Sequence, residues 1–168
     1  MDEKKIYVNL FYLILISTLA RAFLAGFLEL GNDEVYYWTY ALYPDLSHFD
    51  HPPMVGFIIQ AFTLNLIFEN EFFLRLASIL FGAMNTWLIY VITTRIKNSL
   101  AGFYAAVLFT ASIYFFIIAG TFILPDTPQL LFWLLSLYFL TTSVTYKVAN
   151  RFTKTNLLLA GLTLGLGM

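Results

Sequence analysis

Two carboxylates stand side by side in the segment Gly31-Asn32-Asp33-Glu34-Val35-Tyr36-Tyr37-Trp38-Thr39-Tyr40. A positioned carboxylate can take a proton from an attacking hydroxyl, the work of a general base. Neighbours on a helix point about 100° apart, so one of Asp33 and Glu34 can address a reacting atom while the other anchors the loop. The competing account is that the acids complement a helix N-terminus and that the tyrosines and tryptophan form an interfacial aromatic belt; for the aromatics that account is preferred. A third candidate acid, Asp126, lies in the turn Pro125-Asp126-Thr127-Pro128, where a bare turn or N-cap role competes with a site role.

Both histidines of the chain flank an acid in Leu46-Ser47-His48-Phe49-Asp50-His51-Pro52-Pro53. Imidazole and carboxylate suit zinc and related divalent ions, which makes Asp50 and His51 candidate metal ligands, although the spacing matches no standard metal motif. Alternatively Pro52 opens a helix and the histidines are surface residues. Two arginines, Arg21 and Arg75, fall within apolar stretches. An arginine at membrane depth needs a partner, and a guanidinium matches phosphate by forked hydrogen bonds. Both are candidates for holding a lipid phosphate, with snorkelling to the interface as the bland alternative.

These residues need elements to position them, and the composition says which kind. Of 168 residues, 60% are hydrophobic and 11% charged, against about half and about a quarter in soluble domains. The apolar residues come in runs near the roughly 20 that a membrane-crossing helix requires. An all-α, polytopic transmembrane bundle follows, with spans at about 6–30, 72–94, 100–124 and 129–146. A fifth apolar segment from 156 is too short to cross, so the chain reads as the N-terminal part of a membrane domain, inactive as a fragment. With no cysteine and a net charge of -1, disulfides, thiolate chemistry and Cys-ligated zinc are excluded, and no basic patch invites nucleic acid.

Charge bias arbitrates the stretch Pro52 to Phe68. If it does not cross, Lys4, Lys5, Arg95, Lys97, Lys147, Arg151 and Lys154 share one side, and Asp33, Glu34, Asp45, Asp50, Glu69, Glu71 and Asp126 share the other. That partition satisfies the positive-inside rule and makes 33–68 an interfacial or re-entrant segment of the first extracytoplasmic loop, with the N-terminus cytoplasmic. The small-x-small triplet Ala20-Arg21-Ala22 allows a cleaved signal peptide instead, but the apolar run continues past it.

The order of features resembles the GT-C class of membrane glycosyltransferases, and within it the branch of protein O-mannosyltransferases and aminoarabinose-to-lipid-A transferases. The resemblance rests on the Asp33-Glu34 pair after the first span, on Asp50-His51-Pro52-Pro53, on Arg75-Leu76 and on Leu124-Pro125-Asp126-Thr127-Pro128. It implies transfer of a sugar from a polyprenyl-phosphate donor to a lipid, glycan or protein acceptor on the extracytoplasmic side, in a bacterial inner membrane. It further implies Asp33 as general base, Asp126 as a second functional carboxylate, and Asp50 as a possible contributor to a divalent metal site. The aminoarabinose branch more often has Glu-Lys-Pro-Pro where this chain has Asp-His-Pro-Pro. The rival functions are a transporter or flippase, which would show repeated halves with broken helices, and a non-catalytic helical subunit.

Overall fold

The computed structural model describes residues 2–145 and 151–168, and among these every regular element is helical, with no strand. Tyr146, at the end of the expected fourth span, and Lys147, assigned to the inner charge set, lie outside the described residues. Helix α1 (Glu3–Phe27) is long and apolar enough to cross a membrane. It runs unbroken through Ala20-Arg21-Ala22.

Beyond α1 the chain turns into two short helices. Helix α2 (Asn32–Leu42) starts where the Gly31 N–H donates to the Glu34 carboxylate at 3.0 Å, a bond that satisfies one of the donors a helix start leaves open. Helix α3 (Met54–Phe62) has nine residues, about 13 Å of rise, far below the roughly 30 Å of the hydrocarbon core. Its end is imposed locally. The Thr63 hydroxyl donates to the Ile59 carbonyl and accepts from the Leu66 N–H, and Leu64, Asn65 and Leu66 all adopt left-handed backbone with φ of 52°, 57° and 65°. Such a run cannot continue a right-handed helix. Gly56 lets α3 lie on α2, because a Cβ there would come within 2.8 to 2.9 Å of Tyr40.

The expected second span is divided by one residue. A single turn, α4 (Glu71–Leu74), is capped by the Asn70 side chain, which accepts from the Phe73 N–H at 3.0 Å. Arg75 follows, and then α5 (Leu76–Ile96), the most enclosed of the three helices able to cross among the described residues. The apolar run expected as a third continuous span is also divided. Helix α6 (Ser99–Ala111) stops at Ser112, whose backbone is extended, and the chain resumes as a π-helical turn at Tyr114–Ile118. Hydropathy reports the length of apolar chain and is blind to such a break.

Helix α7 (Asp126–Thr145) is the third element able to cross, over Asp126–Val144. It tolerates Pro128 because the first turn of a helix needs no N–H there. Helix α8 (Arg151–Leu166) packs along it, and the Ser136 hydroxyl donates to the Ala160 carbonyl at 2.9 Å. At the acid-bearing end, Tyr37, Tyr40 and Ala41 of α2, Val55, Ile58 and Ile59 of α3, Leu74, Ala77 and Ile123 form one buried cluster. That cluster fixes the two short helices against the ends of the long ones.

Candidate active site

The junction of the site is a buried ion pair. Arg75 is fully enclosed, and Glu34 is 2% exposed. Arg75 Nε donates to Glu34 Oε1 at 2.7 Å and Nη2 to Glu34 Oε2 at 2.6 Å. Its remaining donors go to the carbonyls of Ala25, Leu28 and Glu29 at 2.7 to 2.9 Å. A guanidinium has five N–H donors, and all five are used. Glu34 also accepts the Ile123 N–H at 3.1 Å and the Gly31 N–H at 3.0 Å. One ion pair thus ties together the exit of α1, the start of α2, the start of α5 and the approach to α7. The arrangement changes two expectations: Glu34 faces inward as an anchor beside Asp33, and Arg75 has no donor left to offer a phosphate.

The other acids gather outside this junction. Asp33 is exposed, next to Glu34 on the first turn of α2, and Asp126 is half-buried at the first residue of α7. The Tyr37 hydroxyl is pushed above its ordinary value first by burial and then by the negative charges of Asp50, Asp33 and Asp126. Beside them lies a cavity of about 230 Å³, lined by His51, Pro52 and Met54 at the entry to α3, by Asp126 and Gln129 at the start of α7, and by Met168. Asp33 does not line its wall.

Asp50 is held by phenols. Tyr36 donates to its Oδ1 at 2.8 Å, and Tyr40 donates to the same oxygen. The Tyr40 hydroxyl, with Tyr36 second, holds the Asp50 carboxyl below its ordinary 3.8, partial burial opposing. Tyr40 is raised in turn by burial and by Asp50. His48 stacks on Tyr40 with ring centroids 3.6 Å apart, and His51 stands edge-on to Tyr37 at 5.5 Å. Among the described residues no group of three His, Cys, Asp or Glu is placed to hold a metal ion. Asp50 and His51 do not by themselves make a metal centre, because structural and catalytic zinc sites take at least three protein ligands.

Arg21 is placed apart, inside the bundle. It is fully buried, and its Nη1 reaches only the Ser17 hydroxyl at 3.4 Å. Nε and Nη2 have no partner, and the guanidinium lies 4.7 Å from the Phe116 ring centroid. Gly82 and Gly120 make room for it: a Cβ at either would come within 3.0 to 3.1 Å of the guanidinium.

Three site residues escaped the sequence reading. By sequence Tyr36 and Tyr40 fit an interfacial aromatic belt, and Tyr114, whose hydroxyl donates to Asp126, falls within an apolar run. A spacing of four, which puts Tyr36 and Tyr40 on one helix face, was the only available signal, and nothing in the sequence paired Tyr114 with Asp126.

No curated protein and no solved structure matches the chain. The family model described as dolichyl-phosphate-mannose-protein mannosyltransferase matches residues 50–168, which takes in Asp50, His51, Arg75 and Asp126. The chain belongs to the dolichyl-phosphate-mannose-protein mannosyltransferase family and is an integral membrane glycosyltransferase of the GT-C type.

Proposed function

We propose that this chain forms the acid-bearing part of a transferase that moves a sugar from a polyprenyl-phosphate donor to an acceptor hydroxyl on the extracytoplasmic side. The observation that carries the reading is a cavity with Asp126 and His51 in its wall, next to the loop where Tyr36 and Tyr40 hold Asp50. Asp33 is the general base: it takes the acceptor proton as the acceptor oxygen bonds to the anomeric carbon. The bond from that carbon to the phosphate oxygen breaks, and the lipid phosphate leaves with the electron pair. A single displacement inverts the anomeric centre. Asp126 is the second functional carboxylate, suited to the sugar hydroxyls or to the positive charge that develops on the sugar.

Glu34 and Arg75 position these two acids. Of the two intramembrane arginines, Arg21 keeps nitrogens without a partner and is the candidate to hold the phosphate. The acceptor is a lipid, a glycan or a protein. No step is assigned to a metal.

The test is Asp33→Asn in the membrane-embedded protein, with transfer followed from a radiolabelled prenyl-phosphate sugar. Asp33 is exposed on the first turn of α2, so the variant should insert and fold while transfer falls by about 100-fold or more. Unchanged transfer would remove Asp33 from the mechanism and favour a non-catalytic role for this part of the chain.

A further inference from the structure

The break between α6 and α7 has a use that the reading above leaves open. Between Ser112 and Asp126 α-type bonds alternate with wider ones. The Ala119 N–H donates to the Tyr114 carbonyl at 3.0 Å and the Phe122 N–H to the Ile117 carbonyl at 2.9 Å, both five residues apart. Wide turns of this kind are rare and are frequent at functional sites. An α-helix continued from Ala111 would carry residue 114 around with the register of α6. The extended Ser112 and the wide turn instead leave the Tyr114 ring 46% exposed, with its hydroxyl donating to Asp126 Oδ1.

We infer that Tyr114, presented by the π-helical turn, is a positioning residue that fixes the Asp126 carboxylate against the cavity; this rests on the proposed role of Asp126. The surroundings of Asp126 support it. Its backbone is secured on both sides: Ile123 is tied to Glu34 at 3.1 Å, the Thr127 hydroxyl donates to the Phe122 carbonyl at 3.0 Å, and the same hydroxyl meets Ser78 at 3.4 Å. Those contacts place the Cα of Asp126 but leave its side-chain torsions free. The Tyr114 phenol is the one side-chain donor to that carboxylate among the described residues. The Tyr114 ring is itself braced, edge-on to Phe115 at 5.2 Å, and Phe115 stacks on Phe109 at 4.5 Å. Phenylalanine at 114 would keep that brace and lose only the hydroxyl.

The experiment is Tyr114→Phe in the full protein reconstituted in nanodiscs, with two readouts. In steady-state transfer, kcat should fall about tenfold, the worth of one hydrogen bond to a charged group, with KM for the donor within about twofold and the thermal midpoint unchanged. In the second readout, labelling of Asp126 by a hydrophobic carbodiimide, mapped by mass spectrometry, should accelerate several-fold, with exposed Asp45 as the internal reference. Labelling of Asp126 at the parent rate would overturn the inference, as would a lowered thermal midpoint with kcat intact. Should neither protein transfer sugar, the proposed reaction fails and the labelling rate alone decides whether Tyr114 positions Asp126.

Discussion

Replacing Glu34 by glutamine removes one oxygen from the carboxylate that pairs with buried Arg75 and holds two backbone N–H groups. Glu34 accepts two bonds from Arg75, one from the Ile123 N–H and one from the Gly31 N–H. Glutamine keeps a single acceptor oxygen and turns an NH2 group toward either Arg75 or a backbone donor. The guanidinium, with no exposed surface, is left charged and without its counter-ion. Breaking a buried pair from one side costs about 3–5 kcal/mol, and the stranded Ile123 N–H adds about 1–3 kcal/mol. Arg75 keeps its three backbone carbonyls, so the loss should fall near the lower end of the sum, about 4 kcal/mol.

Unfolding in nanodiscs or mild detergent would measure that loss. The double replacement Glu34→Leu with Arg75→Met separates charge from connection. Removing both charges should recover most of the stability, because apolar substitutes for a buried pair are often neutral. Transfer activity should stay low in the double variant, because Ile123 is no longer tied to α2 and the Asp126 turn is free to shift relative to Asp33. A Glu34→Gln protein within about 1 kcal/mol of the parent, with transfer intact, would refute the junction as the feature that holds the two acids together.

Arg21 and Asp50 give contrasting expectations. Since two Arg21 nitrogens lack partners, Arg21→Met should leave the thermal midpoint unchanged or raise it in the absence of donor, while raising KM for the prenyl-phosphate sugar; a clear fall in the midpoint would mean the guanidinium is satisfied without a ligand. For Asp50, the folded-state value lies below the ordinary 3.8, so its contribution is complete above that value and is lost as pH falls through the folded one. Limited proteolysis of the loop at 43–51 should therefore stay slow down to about pH 4 and quicken only below it. Asp50→Asn should quicken cleavage at neutral pH, and equal rates for variant and parent would show that Tyr36 and Tyr40 do not tether the loop.

How much was legible in the sequence depended on whether the signal was local. Membrane residence and the all-α class follow from composition and from the length of apolar runs, because a bilayer leaves an unpaired backbone no solvent. The candidate acids could be named because Asp33, Asp50 and Asp126 punctuate apolar chain and because their order resembles a known class. The brevity of α3 could be anticipated from the charge partition. Its stopping point at Thr63 and the three left-handed residues carries no comparable sequence signal, since none is a glycine.

Tertiary structure alone decided the division of labour. Glu34 and Asp33 are chemically alike and adjacent, and only the arrival of Arg75, 41 positions away, assigns one to the interior and leaves the other exposed. Arg21 and Arg75 look equivalent as intramembrane cations, yet one spends every donor and the other leaves two nitrogens unpartnered. The π-helical turn lies inside a stretch whose hydropathy is uniform, so its effect on Tyr114 and Asp126 cannot be read from apolar patterning. Sequence determines which groups can be charged, while the partner that the fold brings to each decides whether that charge is consumed in holding the fold or left for substrate.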